Sequence, residues 1–161
     1  MGTLQGGCWS PKNCAVAGYY RTLGDSWQSY TVTETNGVWA TPKRVLSPNP
    51  TSDDTLVGAT SCVVSSGCVL TARYYDENGN VRLFGETTTD GTWSSPETIA
   101  VPAGSNSTIS ISSLSCSSIS TCGGTGLYST DASNTLQFVV SRTNGTWGGA
   151  SQVKMPAGWL Q

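Results

Sequence analysis

The feature that most constrains this chain is a period of 54 residues. Cys8, Cys62 and Cys116 are separated by that step, and so are Cys14, Cys68 and Cys122. It also links Tyr20, Tyr74 and Tyr128, then Tyr30, Phe84 and Phe138, then Gly37, Gly91 and Gly145. Trp39, Trp93 and Trp147 follow it too, as do Pro48, Pro102 and Pro156. A period of this length shared by so many residue types marks a repeat architecture. Three units account for essentially the whole 161-residue chain.

Each unit carries its own Cys-x5-Cys pair. Six cysteines allow fifteen pairings in principle, but the repeat predicts three local bridges, Cys8–Cys14, Cys62–Cys68 and Cys116–Cys122. A metal site is the rival use of these thiols. The chain has no histidine, and thiolates in three separate units do not readily converge. Disulfides imply an oxidising, extracellular compartment. The composition agrees, because only 11% of residues are charged and Gly, Ser and Thr are plentiful.

Net charge is −2 and the eight Lys and Arg are scattered. Nucleic-acid binding would need a basic stripe, so none is expected. No run approaches the eighteen apolar residues of a membrane span, so no membrane partner is expected either. Met1-Gly2 leads straight into the first unit without a signal-peptide pattern, so an export signal is expected to be missing from this stretch.

Within a unit the pattern predicts four strands and no helix. In the second unit these are Leu56 to Cys62, Cys68 to about Tyr75, Val81 to Thr88, and a last strand carrying Trp93 and ending near Val101. Asn78-Gly79 and Asp90-Gly91 supply the turns, the latter echoed by Asn36-Gly37 and Asn144-Gly145. The second strands look apolar on both faces, which predicts cover on both faces. Ala17, Gly18, Ala72 and Gly126 would let neighbouring sheets approach closely. Four antiparallel strands per unit, stacked on the next unit, describe β-propeller blades. We place them at about 3–50, 55–104 and 109–158, in one repeat domain. A β-trefoil, which also closes three four-stranded repeats in one chain, is the alternative.

The units resemble a repeat of secreted bacterial β-propeller proteins, mostly of unassigned function. Its pattern is close to Val-Ser-Cys-x5-Cys-x-Ala-x-Gly-x-Tyr, then Thr-x-x-Asn-Gly-Thr-Trp, then Val/Ile-Pro. Here Leu114-Ser115-Cys116 through Cys122 to Tyr128, and Arg142-Thr143-Asn144-Gly145-Thr146-Trp147, carry the likeness. It spans the whole chain and implies a propeller in an extracellular setting, with no catalytic residues to transfer. Two departures stand out. The residue two before the first cysteine is Gly6 and Thr60 in the first two units, and the proline after the recurrent tryptophan, Pro42 and Pro96, is Ala150 in the third. Those strands are expected to be irregular.

Without histidine, the common general base and metal ligand are both missing. Most acids sit in turns, and Glu34 and Glu86 on third strands are the only interior candidates. A glycosidase-like enzyme is therefore a minor alternative. Asp76-x-Asn78-x-Asn80 is not a calcium loop, since its glycine is misplaced and Thr87 stands where the bidentate Glu belongs. Asn106-Ser107-Thr108 and Asn144-Gly145-Thr146 match glycosylation acceptors but fall where the repeat wants turns. No cofactor and no metal are expected.

Aromatics that break the period are the most informative for function. Trp39, Trp93 and Trp147 recur and are expected in the core. Trp9, Tyr19, Trp27 and Tyr75 do not recur, so the fold does not require an aromatic there. Trp9, inside a cysteine loop, and Trp27, after a turn, are expected near the surface. With Arg73, which holds the place of Tyr19 in the second unit, these residues form the candidate ligand set for a lectin-like glycan site. A structural or protein-interaction scaffold with no small ligand is the competing reading. Propellers close with about four to eight blades. Three blades leave two open faces, so the chain is expected to be half of a six-bladed ring completed as a homodimer, unless it is a piece of a longer propeller. Trp159 and Leu160 are the candidate seam anchors.

Overall fold

The computed structural model describes residues 5–52, 54–105, 108–131 and 134–156. All regular structure among them is β. Sheet 1 comprises β1 (Gln5–Ser10), β2 (Asn13–Arg21), β3 (Trp27–Thr35) and a fourth strand in two pieces, β4 (Val38–Trp39) and β5 (Lys43–Arg44). Sheet 2 comprises β6 (Thr55–Val63), β7 (Gly67–Tyr75), β8 (Val81–Thr88) and β9 (Glu97–Ile99). Sheet 3 comprises β10 (Ile109–Ser118), β11 (Thr121–Ser129) and β12 (Thr135–Thr143), with a fourth strand split into β13 (Thr146–Trp147) and β14 (Ser151–Gln152). Each sheet is an antiparallel meander in chain order. Among the described residues, no strand pairs with a strand of another unit. A trefoil needs such ladders to close its barrel, so that alternative is set aside.

All three local disulfides are present, and each joins residues directly opposite in the ladder of the first two strands. The hairpins before the recurrent tryptophans differ instructively. Asn36-Gly37 and Asn144-Gly145 have positive φ at both residues, 53° and 85° in one, 51° and 80° in the other. That is the turn whose twist matches paired strands, and pairing resumes at Thr35–Val38 and Thr143–Thr146. Asp90 does not adopt it, and Thr92-Trp93 stays outside any ladder.

The irregularity expected in the first strands of units one and two and in the fourth strand of unit three is present. The β1–β2 and β6–β7 ladders have register shifts and the last strand of sheet 3 is split into β13 and β14, but the fourth strand of sheet 1 is split as well. Ala150 donates its N–H to the Ala100 carbonyl of sheet 2 at 2.9 Å. Proline, which has no N–H, could not make that bond at this place.

The sheets stack face to face with sheet 2 in the middle. We call the face turned toward the preceding sheet leading and the opposite face trailing. In the first seam Leu70, Ala72, Tyr74 and Phe84 of sheet 2 pack on Ala17 and Val45 of sheet 1, and Trp93 joins them. In the second seam Tyr128, Phe138 and Val140 of sheet 3 pack on Val81, Leu83 and Ile99 of sheet 2, with Trp147 at the border. Ala17 and Ala72 are the small residues expected to allow close approach. Gly85 does the same for Trp147, since a Cβ there would stand 2.7 Å from the indole Nε1. Arg142 ties the second seam, donating to both carboxylate oxygens of Glu97 at 2.6 and 3.1 Å.

Three expectations need correction. Of the three second strands, β7 alone is covered on both faces, whereas β11 alternates between buried and exposed. Trp39 is not core: it is 49% exposed, because no sheet among the described residues stands against the leading face of sheet 1. Trp9 is not at the surface: it is 7% exposed and packs with Ala15 and Cys68 in the first seam.

Candidate functional site

Four of the five candidate ligand residues meet beside the first seam. Tyr19 and Trp27 form an edge-to-face pair with centroids 5.4 Å apart. A crevice of about 190 Å³ is lined by Tyr19, Gln5, Leu56 and Arg73, with Ser110 and Ser112 from sheet 3. A smaller one of about 40 Å³ is lined by Trp27, Asp54, Leu56, Arg73 and Tyr75. Leu56 and Arg73 border both, so the two crevices are neighbours. Trp9, buried elsewhere, takes no part. Trp159 and Leu160 lie outside the described residues, as do Asn106 and Ser107.

The local chain explains why these side chains converge. Ser29, two residues after Trp27, is fully buried and bonded to sheet 2 three times. Its N–H donates to Thr55 Oγ1 at 3.1 Å, its hydroxyl to the Thr55 carbonyl at 3.0 Å, and it accepts from the Val57 N–H at 2.8 Å. This pins the start of β3 to the start of β6. The Trp27 N–H donates to Asp54 Oδ1 at 2.5 Å. Across the crevice, buried Asn49 donates from Nδ2 to the Tyr75 carbonyl at 3.1 Å, and its Oδ1 accepts from the Thr51 N–H and hydroxyl. Asn49 and Asp54 are positioning residues that the sequence reading missed. Their signal was the same break in period, since Ala103 and Thr108 stand at the equivalent places.

The electrostatics single out one group. Arg21 is paired with Asp25 at 2.6 Å, and its guanidinium lies 5.7 Å from the Trp27 ring centroid. Both partners are exposed, so the ion pair contributes little. Arg73 is half-buried and has no hydrogen-bond or ion-pair partner among the described residues. A planar, five-donor guanidinium without a partner, beside aromatic rings, is equipped for bidentate recognition of an oxygen-rich ligand.

Asp54 lines the smaller crevice, but Asp76, Glu86 and Glu34 are placed elsewhere. Asp76 accepts from the Asn78 and Asn80 N–H groups and from Arg82 Nε, chiefly the Asn80 N–H, and these bonds hold its carboxyl down at about 2. It caps a hairpin, with Gly79 at φ 76°. Glu86 is 5% exposed and has no partner among the described residues, and desolvation pushes its carboxyl up to about 7. It borders a separate cleft of about 310 Å³ with Thr31, Lys43, Arg44 and Trp93. Glu34 is only half-buried. No group of three or more His, Cys, Asp or Glu able to hold a metal occurs among the described residues. No protein-family model matches the chain, and no curated protein or solved structure matches it either.

Proposed function

We propose that the chain is a secreted, non-catalytic, lectin-like binding module of propeller blades, with a glycan seated on Tyr19, Trp27, Arg73 and Tyr75. The observation that carries this reading is their convergence: side chains the repeat does not require are gathered on two neighbouring crevices, around a guanidinium without a partner among the described residues. A sugar ring offers an apolar face to an aromatic ring and adjacent hydroxyls or a carboxylate to a guanidinium. The three local bridges and the likeness to secreted propeller repeats support the extracellular placement.

A glycan array probed with the native chain, Trp27→Ala and Arg73→Ala tests the reading. The native protein should bind a defined group of glycans, and both variants should lose at least tenfold in signal at unchanged fold. A blank array for the native chain, or hits that survive both substitutions, would sink it. The second reading, a scaffold that binds protein and no small ligand, is favoured by the open apolar faces of the two end sheets, and it expects the blank array.

A further inference from the structure

The two interior seams are built to one recipe, and the chain carries both halves of a third. In each filled seam a Tyr and an aromatic partner on the leading face meet a branched aliphatic residue on the trailing face. Tyr74 and Phe84 meet Val45, and Tyr128 and Phe138 meet Ile99. The third copy of the leading set is Tyr20, Tyr30 and Trp39 on sheet 1. The third copy of the aliphatic residue is Val153 on sheet 3, whose N–H bonds the Gln137 carbonyl as that of Val45 bonds Ser29, both at 2.9 Å. Exposure shows that these sets lack their counterparts: Tyr20 is 38% exposed, against 7% for Tyr74 and 2% for Tyr128. The open leading face holds a groove of about 820 Å³ lined by Tyr20, Tyr30 and Pro42 together with Arg21, Lys43 and Arg44. The open trailing face carries exposed Leu127 and Val139 and half-buried Val153.

We propose that these faces are the two sides of one seam between two copies of this chain, the Tyr20–Tyr30–Trp39 face of one seated on the Leu127–Val139–Val153 face of the other. The register follows from the filled seams. Trp147 lies over Gly85 and Trp93 shares a cleft with Thr31. Val139 holds that place on sheet 3, so it receives Trp39. Valine and threonine have the same shape, and the first seam already accommodates threonine there. The contact is head-to-tail, which either closes into a ring or runs on as a filament. Two copies of three blades make six, within the range over which propellers close. This rests on the propeller reading of the sheets and is independent of the glycan site, whose variants lie elsewhere.

Light scattering on the purified chain at micromolar concentration should report twice the 16.8 kDa of one copy. Trp39→Ala and Val139→Arg should each reduce the species to a single copy at concentrations where the native chain is wholly paired. Both substitutions fall on exposed side chains, so an unchanged β circular dichroism signal should accompany each loss. A native chain that stays single overturns the proposal, as does a mass that climbs beyond two copies with concentration. Sensitivity to Trp39→Ala alone overturns it too, because pairing of two leading faces would not involve Val139.

Discussion

β7 and β11 share a cysteine, a tyrosine and a register with their third strands, yet they live in different surroundings. β7 is buried along almost its whole length, whereas β11 shows every second residue to solvent. The same contrast separates Phe84, fully buried, from half-buried Tyr30, its counterpart in sheet 1. Nothing within a unit causes this. Sheet 2 has a neighbour on each face and the end sheets have one, so in a stacked repeat burial belongs to the seam rather than to the strand.

The contrast can be broken most directly at the matched aromatics. Phe84→Ala should destabilise by about 3–5 kcal/mol, as large core truncations do. Tyr30→Ala should cost about 1 kcal/mol at most, in the range of surface changes. Urea denaturation of both, each in a Val139→Arg background, measures the gap. Equal losses would mean that neighbours do not decide burial.

Glu86 sharpens the comparison by chemistry, because Val32 and Val140 stand at its place in the end sheets. Its carboxyl titrates at about 7 in the fold against 4.5 when unperturbed. Between those values the folded chain holds a proton that the unfolded chain has released. Stability is therefore full below about pH 4.5, falls as pH rises toward 7, and then levels off, a loss of about 3 kcal/mol from this group. Glu86→Val should abolish that slope and raise the urea midpoint at pH 8. A native stability curve that is flat from pH 5 to 7.5 would show that Lys43 and Arg44, which line the same cleft, keep the carboxylate ionised.

The smallest effect is kinetic. Cys8 is exposed and Cys14 half-buried, whereas each of the other bridges has one buried cysteine, Cys68 or Cys122. Thiol exchange depends on access, so limited reduction followed by alkylation should label Cys8 and Cys14 first. Prior labelling of the Cys62–Cys68 bridge would contradict the idea that the middle sheet is the shielded one.

Much of this was legible in the sequence because it is local. Strand positions, turns and cysteine partners all follow from residues within one unit. What was not legible lies between units. Trp39 recurs with Trp93 and Trp147, and recurrence reports what a unit needs when it has a neighbour, not whether it has one. Trp9 breaks the period and so looked like a surface residue, but its partners Ala15 and Cys68 come from two different sheets. Tyr19, Trp27, Arg73 and Tyr75 were nameable as departures from the period. Their convergence was not, because it depends on Asn49 and Asp54 in the link between sheets 1 and 2.

The broken fourth strands have a further consequence, for behaviour in crowded solution. An unbroken outer strand offers a row of free N–H and C=O groups on which another chain can add, the first step toward aggregation. Here the ladders at the fourth-strand edge of each sheet are two or three residues long, with Pro42 or Pro96 just ahead of the last ladder in sheets 1 and 2. Such a rim templates poorly. That edge is therefore built to resist growth by strand addition, and the exposed apolar side chains Leu127, Val139 and Trp39 lie instead on the faces of the end sheets.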